Sequence, residues 1–553
     1  MPTYKTPGVY VEEISTLPPS VAEVSTAIPA FIGYTAKGPK IARINTLLEY
    51  ETHFGRAKPA NFKVQTTVDA GTGLKAVSAV TKTAAPSDPD FLMHYAVSHY
   101  FKNGGGSCYI FSVGDYNATP AKADFEAALA LLEKEDEPTL IVLTDAVNLL
   151  TDDYYSLCQQ ALAQCNKLGD RFAILDIPDG AVETFRNKIG TSDLKYGASY
   201  HPYLQTTLNV RYEEGGIQIE GDASSAAGTS NRESAFGTDA ILVRFSGDAS
   251  ATPKVKIVAG DASAAVDFSI ASDVLTIRNV SGRTGQDVKS AWDAWVADAA
   301  NDPAGFDLDV TGGGTGAVPH TSNASVDLSL TSSAGGTLAA IQSTETALYN
   351  QIKTALTRER VTLPPSAAMA GVYARVDRER GVWKAPANVS LSAVIGPVSK
   401  ITHEEQEGLN VDPTAGKSIN AIRQFAGKGT LVWGARTLAG NDNEWRYVSV
   451  RRLFNMIEES TQKATAFAVF EPNDATTWLK VKAMIESYLY GLWEQGALAG
   501  PTSEAAYFVN VGLGKTMTTQ DVLEGRMIVE IGVAAVRPAE FIILRFTHKL
   551  QEA

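Results

Sequence analysis

The chain has 553 residues but only three cysteines, Cys108, Cys158 and Cys165. Three thiols with these separations form neither a disulfide framework nor the spacing of a zinc site. Cys158 and Cys165 are seven residues apart in a helical pattern, so both can face one core, where a free thiol behaves as a small apolar group. We therefore expect buried thiols, in a protein that is made in a reducing compartment.

Long apolar runs and a secretory leader are also missing from the sequence. No uninterrupted apolar segment reaches the roughly 20 residues that cross a bilayer. The chain starts with Pro2 and Pro7 and has no basic segment followed by an apolar one. We expect a soluble protein, without direct membrane insertion, that leaves the cell only by lysis or through a dedicated machine.

The sequence contains no complete nucleotide, metal or catalytic motif. Residues 416–418 and 514–516 end like a phosphate loop, but Val411 and Val509 stand where that pattern needs its first glycine. Three glycines at 104–106 lead from a predicted helix to a strand, the reverse of the order in phosphate sites. The seven histidines are scattered, which predicts no metal site. We predict turns at the three glycine-containing places, no cofactor and no enzyme activity.

The charge balance makes nucleic acid an unfavourable partner. The net charge is −14, and an acidic chain repels phosphate backbones. The apolar share of 44% and the charged share of 20% are ordinary for globular domains. Since 553 residues exceed one hydrophobic core, we expect roughly two to four domains.

Periodicity and composition predict a multidomain protein of mixed α/β class. The five predicted segments are an extended N-terminal arm (1–25), an α/β domain (26–202), an inserted β-rich domain (203–345), a second α/β domain that forms the C-terminal core and is completed by both chain ends (346–535), and a C-terminal arm strand (536–553).

The two α/β domains are predicted from alternating patterns. Strands at 28–34, 108–113, 139–144 and 172–177 alternate with helices, which predicts a parallel sheet covered by helices. Amphipathic helices are predicted at 450–463 and 474–493, with Asn473 as the cap of the second.

The segment 203–345 is rich in Ser, Ala, Gly and Thr and contains short strand-like runs. This pattern predicts a small β-sandwich or barrel, interrupted by one helix at 287–299 with Thr284 as its N-cap.

The stretch 371–470 contains short apolar runs with aromatic anchors, which predicts a string of short strands joined by turns. Arg375, Arg378 and Arg380 alternate there with Asp377 and Glu379. They form either an ion-pair network between subunits or a local surface network.

Both chain ends have strand periodicity. A lone strand leaves its backbone groups unpaired and must find a sheet edge. We therefore predict two strand arms that join subunits. The candidate arm residues are Val9, Tyr10, Val11, Glu12, Phe541, Ile542, Ile543, Leu544, Arg545 and Phe546.

Residues 4–13, 371–452 and 541–546 resemble the contractile tail sheath family. That family forms the outer sleeve of contractile phage tails, R-type pyocins, type VI secretion systems and extracellular contractile injection systems. The resemblance lapses between Tyr203 and Leu348, which favours an insertion on the outside of the particle.

The resemblance implies a structural subunit that polymerises as stacked hexameric rings around an inner tube and contracts to drive the tube through a target envelope. The free energy would come from two packings of one subunit. The implied partners are further copies of the chain, the inner tube protein, baseplate and terminal cap proteins, and a sheath paralogue. The implied location is a phage tail or an extracellular injection particle that is built from subunits made in the bacterial cytoplasm.

A sleeve that slides along a tube needs polar contacts with it. The predicted tube-facing residues lie on the helix at 450–463 and on a short helix at 519–526. They are Arg451, Arg452, Glu458, Glu459, Asp521, Glu524 and Arg526.

Two alternatives from other classes stay open. Asp145, Asp176 and Asp179 follow predicted strands, where enzymes with parallel sheets place polar residues, although turns also favour aspartate. The Ser- and Gly-rich insertion is compatible with a secreted β adhesin, and the missing leader counts against it.

Overall fold

The computed structural model describes residues 21–68, 75–83, 91–221, 224–225, 229–248, 251–320, 324–330, 334–343 and 345–545. The predicted arm strand at 9–12, and Phe546 at the other end, lie outside these residues. Across the part described, none of the helices is long and apolar enough to span a bilayer.

The helices range from single turns to twenty residues. In chain order they are α1 (Leu47–Phe54), α2 (Met93–Lys102), α3 (Lys122–Leu132), α4 (Thr151–Leu168), α5 (Val182–Lys188), α6 (Gly285–Ala297), α7 (Leu338–Ile341), α8 (Thr346–Leu356), α9 (Ser366–Arg380), α10 (His403–Asn410), α11 (Val448–Thr465), α12 (Ala475–Glu494), α13 (Ser503–Ala506) and α14 (Thr519–Leu523).

The strands are short and belong to several sheets. In chain order they are β1 (Pro29–Gly33), β2 (Ile41–Ile44), β3 (Ala60–Val68), β4 (Lys75–Thr83), β5 (Cys108–Ser112), β6 (Leu140–Leu143), β7 (Phe172–Leu175), β8 (Gly197–His201), β9 (Leu204–Asn209), β10 (Tyr212–Gly221), β11 (Ser224–Ser225), β12 (Thr229–Phe236), β13 (Ile241–Asp248), β14 (Lys254–Ile257), β15 (Asp267–Ala271), β16 (Val274–Arg278), β17 (Phe306–Val310), β18 (Val326–Asp327), β19 (Ser329–Leu330), β20 (Ala334–Thr337), β21 (Arg360–Leu363), β22 (Val389–Ser390), β23 (Val394–Pro397), β24 (Asn420–Phe425), β25 (Gly429–Val432), β26 (Tyr507–Val511) and β27 (Val529–Val533).

The chain divides into two compact units. The body unit consists of Met1–Lys58, Pro89–Leu208 and Arg360–Ala553, and the inserted unit of Pro59–Asp88 and Asn209–Glu359. The inserted unit therefore differs from the predicted segment 203–345, because it also takes residues 59–88 from the first predicted domain. The reason is a parallel ladder between β3 and β10, which ties this early segment to the later one.

The body unit is built on a nine-stranded sheet with the order β2-β5-β1-β6-β7-β8-β24-β25-β22. The ladders from β5 to β24 are parallel, and the outer strands β2, β25 and β22 are antiparallel to their neighbours. The predicted mixed α/β class is confirmed. The sheet also joins the early α/β segment to residues 389–432, so the two predicted α/β domains share one sheet.

Alternate residues of the central strands face two apolar layers. Ile32 and Leu143 pack on one side with side chains of α3, α4 and α5. Phe31 and Val142 pack on the other side with α1, α2 and α9, including Tyr373. Burial of each such side chain is worth about 1.5–3 kcal/mol, so helices on both faces account for the uniformly apolar strands.

The prediction of short strands at 371–380 is wrong, since these residues belong to α9. The helix is buried on all sides from Ser366 to Ala374, so it has no polar face to reveal a helical period. A Cβ at Gly371 would lie 2.5 Å from the carbonyl oxygen of Tyr100 in α2. The apolar run is therefore a tightly packed helix.

A third apolar core in the body unit joins α11, α12 and the hairpin β26–β27. The two helices were predicted, but the cap of α12 is Asp474, whose side chain accepts from the backbone N–H groups of Thr476 and Thr477. The Asn473 side chain instead accepts a hydrogen bond from Trp478 Nε1 at 2.7 Å.

The described part of the inserted unit contains three sheets. Two of them, centred on β12–β13 and β14–β16, enclose one core with α6. Thr284 caps α6 in a capping box with Asp287, as predicted. The third sheet, β20-β10-β3-β4, packs with α7 and α8.

Candidate assembly surfaces

The C-terminal segment leaves the body unit as exposed apolar chain. Phe541, Ile542, Ile543 and Leu544 are 70% to 80% exposed, and 541–545 are not part of a strand. The predicted strand is therefore not formed within one copy. No strand of the described chain pairs with residues 541–545. Consecutive exposed apolar side chains are typical of an interaction segment.

The chain is fixed one residue earlier, at Glu540. Its carboxylate accepts hydrogen bonds from Arg436 Nη2 at 2.7 Å, Asn410 Nδ2 at 2.9 Å and the Tyr447 hydroxyl at 3.1 Å. Burial raises the pKa of Glu540, but the hydrogen bonds from Arg436 and Asn410 outweigh burial and leave the pKa below its ordinary value. We call these four residues the C-terminal root.

The described chain is fixed in a similar way near its start. The Thr26 hydroxyl donates to Asp377 Oδ2 at 2.5 Å, and the Thr26 carbonyl accepts from Arg452 Nη2 at 2.8 Å. Arg452 also pairs with both oxygens of Asp377, at 3.0 and 2.5 Å. The two charged side chains are 3% and 8% exposed. Thr26, Asp377 and Arg452 form what we call the N-terminal root.

Most of the charged residues predicted to face a tube on α11 are not at the surface. Arg451, Arg452 and Glu459 are 2%, 3% and 7% exposed, and the Arg451 guanidinium lies 4.2 Å from the centre of the Trp445 ring. The expected polar face is therefore wrong for these three residues. Aromatic rings surround Arg451, the Asp377 carboxylate pairs with Arg452, and Lys463 pairs with Glu459. Of the four, only Glu458 has a half-exposed side chain.

The second predicted tube-facing set lies on and just after α14. Asp521 closes a capping box with Thr518, and Arg526 pairs with Asp521 at 2.8 Å and with Glu524 at 2.7 Å. These charges largely satisfy one another within the chain, while Leu523 between them is exposed. Contact of this set with a tube stays a prediction.

The hairpin β26–β27 offers open sheet edges. Within the described chain each strand pairs only with the other, so both outer edges carry unpaired backbone groups. Val509 is buried against the core, whereas Phe508 and Glu530 face solvent. A two-stranded sheet is marginal alone, so an added strand would complete it.

The arginine run at 375–380 makes contacts within its own chain. Arg375 donates to the Ser390 carbonyl at 2.6 Å and Arg378 to the Gly104 carbonyl at 3.2 Å, while Asp377 belongs to the N-terminal root. These contacts lie within one chain, and an ion-pair network between subunits stays a prediction.

The strand-end acids of the enzyme alternative are internal. Asp145 accepts from the backbone N–H groups of Tyr34 at 2.7 Å and Leu92 at 2.5 Å. Asp176 accepts from the backbone N–H and the hydroxyl of Ser366, at 3.0 and 2.5 Å. Both carboxylates are buried and act as structural acceptors, and Asp179 lies in a 3-10 turn with φ 52°.

Asp176 makes stability depend on pH. Burial raises its pKa to about 7, against the hydrogen bonds from Ser366. The pKa of Asp176 in the folded protein exceeds the unfolded value, which is about 3.9. The contribution of protonated Asp176 to stability is therefore complete below about pH 4 and is lost as the pH rises through about 7. Asp176→Asn has no charge to bury. We expect its advantage over wild type in the free energy of unfolding to grow by roughly 2–3 kcal/mol from pH 5 to pH 8.

Urea unfolding of both proteins at four pH values from 5 to 8 measures this difference. Asp152→Asn, at an exposed position on α4, is the control and should follow wild type. A stability difference between Asp176→Asn and wild type that stays constant with pH would contradict the expectation.

The motifs that imitate phosphate loops are turns, as predicted. Lys417 is buried and its Nζ donates to the Arg186 carbonyl, and the Gly512 carbonyl closes the turn at Lys515. The three cysteines are buried, and burial raises the pKa of Cys158 to about 12. Among the described residues no His, Cys, Asp and Glu cluster can hold a metal ion.

Sequence reasoning missed both roots. Each joins residues far apart in the chain, such as Arg436 with Glu540 and Arg452 with Thr26. One available signal was an arginine in an otherwise apolar stretch, as at Arg436, since a buried cation must be paired.

Residues 440–549, which contain α11, α12, the hairpin and Glu540, match the family model described as phage tail sheath C-terminal domain. This match confirms the resemblance to contractile tail sheath proteins over the C-terminal part of the chain.

Particular relatives show where such proteins occur. The chain is 26% identical over 192 residues to the tail sheath protein of Vibrio phage KVP40, an alignment that covers 34% of this chain and 27% of that protein. The chain thus spans about a quarter of that relative's length.

Two solved structures match nearly the whole chain, each at 26% identity. One is the sheath complex of the extracellular contractile injection system PVC in its contracted state, with a TM-score of 0.54 and 99% of both chains covered. The other is the six-fold symmetrised baseplate of the anti-feeding prophage, with a TM-score of 0.55 and 99% and 100% covered. The homologues are contractile sheath proteins of phages and of extracellular contractile injection systems.

Proposed function

We propose that this chain is the sheath subunit of a contractile particle, either a phage tail or an extracellular injection system. Copies polymerise as stacked hexameric rings around an inner tube, and contraction drives the tube through a target envelope. The observation that carries the proposal is the fixed root at Glu540, followed directly by four exposed apolar residues. The six-fold symmetry of a matched baseplate structure supports the ring.

The arms connect neighbouring copies by strand addition. The segment after Glu540 and the predicted strand at 9–12 supply extended chain, and the open edges of β26 and β27 accept it. Four or five ladder hydrogen bonds contribute about 0.5–1.5 kcal/mol each, and burial of Ile542 and Leu544 adds about 1.5–3 kcal/mol apiece. Such contacts are heterologous, so they propagate along a helical stack.

The remaining partners follow from the same role. The likeness to a baseplate structure favours contact with a baseplate, and a sleeve requires an inner tube and a terminal cap. The subunit is made in the bacterial cytoplasm, and particles of this kind can contain a sheath paralogue. Glu458 and the set Asp521, Glu524 and Arg526 are the candidate tube contacts.

Negative-stain microscopy of the purified full-length protein tests the proposal. We expect hollow tubes of uniform diameter, with six-fold symmetry in end-on views. Protein that stays monomeric or forms irregular aggregates at all concentrations and salt conditions would contradict the sheath role.

We expect assembly to survive removal of the inserted unit. A deletion placed at the predicted ends of the insertion, 205–343, would cut β9, which pairs with β23 in the body unit. We therefore choose junctions between residues of the body unit that already lie close together. Arg360 Nη1 donates to the Thr207 carbonyl at 3.0 Å, and Lys58 Nζ lies 5.1 Å from the centre of the Phe91 ring.

The variant replaces 59–88 and 210–358, each with a short Gly/Ser linker. It should stay soluble, melt within a few degrees of wild type and form tubes by negative-stain microscopy. The matched control, with 205–343 replaced, should melt at a lower temperature because it loses β9. Unfolding of the first variant would show that the inserted unit is required for the fold of the body unit.

A further inference from the structure

Both roots are attached to the same helix, α11. At the C-terminal root, Arg436 forms a β-bridge with Tyr447, the residue immediately before α11, and both side chains bond to Glu540. The Val448 N–H also donates to the Ala435 carbonyl at 3.0 Å. The start of α11 is therefore hydrogen-bonded to residues 435 and 436, and Arg436 holds Glu540.

The N-terminal root is attached further along α11. Arg452, within the helix, bonds to Thr26 and Asp377. Two turns later, Ser460 Oγ accepts the Val24 N–H at 3.2 Å. The chain that leads from the N-terminal arm is thus bonded to this helix at two points.

The helix itself is firmly seated in the body unit. Arg451 lies between the rings of Trp445 and Tyr196, at 4.2 and 5.0 Å from their centres. Asn455 Nδ2 donates to the Arg171 carbonyl at 3.1 Å, directly before β7. A buried helix with these contacts moves as a rigid element, because packed interiors do not deform continuously.

The C-terminal root also reaches the centre of the nine-stranded sheet. The Arg436 N–H donates to Asn420 Oδ1 at 2.7 Å, and Asn420 Nδ2 donates to the Ser199 carbonyl in β8 at 3.1 Å. A pull on residues 541–545 is therefore taken up by buried hydrogen bonds and not by a loose loop.

We propose that α11 is the mechanical link between the two arms of one subunit, with Arg436 and Arg452 as its positioning residues. The inference rests on the proposed function, in which each arm binds a neighbouring copy. A displacement that enters through one arm passes from its root into α11 and leaves through the other root. Bidentate arginine pairs suit this task, since their fixed geometry holds both direction and distance.

The link can be tested in the full-length protein without contraction, by measuring hydrogen exchange at one root after a substitution at the other. Glu540→Gln keeps the size of the side chain but removes the charge that Arg436 binds. We expect hydrogen exchange of the Val24 and Ile28 amides, which are bonded to Ser460 and Thr139, to speed up at least threefold. The reciprocal variant, Thr26→Val, should speed exchange of the Thr437 and Val448 amides, because coupling between two sites is mutual.

Glu404→Gln, an exposed position on α10, is the matched control and should leave both sets of amides unchanged. Faster exchange confined to the residues around each substitution would overturn the link and leave the roots as independent anchors. A fall of many degrees in melting temperature, with faster exchange throughout the body unit, would equally overturn it, because the role of Glu540 would then be general stability.

Complete particles supply the functional readout. After a brief chaotropic trigger, Glu540→Gln particles should show at least a threefold larger fraction of sheaths with a boundary between contracted and extended rings. Contraction as uniform as in wild type and Glu404→Gln would count against the link. If the arms themselves prove unnecessary for assembly, the proposed function fails, whereas the exchange experiment still decides the coupling between the roots.

Discussion

A protein that ends at Glu540 is expected to fold normally and to remain monomeric. Removal of 541–553 takes away the exposed side chains of Phe541, Ile542, Ile543 and Leu544, and Glu540 keeps its bonds to Arg436. The melting temperature should stay within about 2 °C of wild type, since surface changes are usually worth less than about 0.5 kcal/mol. Analytical ultracentrifugation and microscopy should show monomers and no tubes.

Deletion of residues 1–20 should have the same result, because the sleeve needs a connection through each arm. Normal tubes from both truncated proteins would show that the arms are dispensable and that body contacts alone build the assembly.

Single substitutions give a finer comparison for the C-terminal arm. If residues 541–544 join a sheet, Ile542 and Leu544 lie on one face and Ile543 on the other. We expect Ile542→Lys, on the face that meets the apolar core of the hairpin, to suppress tube formation strongly. Ile543→Lys is matched in size and charge and should have a much smaller effect, whereas equal effects would contradict an ordered strand.

Loss of the Asp377 carboxylate should strongly destabilise the fold. Asp377→Ala leaves the Arg452 guanidinium buried, with the Thr26 carbonyl and the Tyr373 ring near it. Stranding a buried charge costs about 3–5 kcal/mol, a large part of the stability of a typical domain. Urea unfolding monitored by tryptophan fluorescence should show a correspondingly lower midpoint.

Two comparisons make this result specific. Glu379→Ala, at an exposed position on the same helix, should change stability by less than about 0.5 kcal/mol. The double variant Asp377→Leu/Arg452→Met removes both charges and should be more stable than Asp377→Ala, because no buried charge is left unpaired. A double variant less stable than Asp377→Ala would contradict this account of the root.

The sequence was informative where apolar residues follow a clear period. The parallel strands at 140–143 and 172–175 and the helix α12 could be predicted because one local pattern specifies each. The helix α9 could not be predicted, because all residues of its first half are buried and the sequence therefore shows no helical period of apolar and polar residues. The boundaries of the inserted unit were hidden because β3 pairs with β10, which lies far along the chain: Ala60 is paired with Tyr212.

The candidate site was predictable only in part. The exposed segment 541–544 follows from its apolar strand-like sequence, and its need for a partner follows from its unpaired backbone. The burial of Arg451 and Arg452 was not predictable, because a helical wheel shows only that α11 has charged residues. The rings and carboxylates that surround those charges come from residues 196, 377 and 445, which only the fold brings together.

Cysteine cross-linking in trans tests strand exchange most directly. The natural cysteines are buried, so a single new thiol is selective. One protein carries Phe541→Cys or Ile543→Cys, on the solvent face of the arm strand, and a second carries Phe508→Cys or Glu530→Cys on the exposed face of the hairpin. The two proteins are mixed, assembled and mildly oxidised. For at least one combination, we expect disulfide-linked pairs that contain one arm variant and one hairpin variant. Failure of all combinations to link in tubes that do form would contradict the addition of the arm to a neighbour's hairpin.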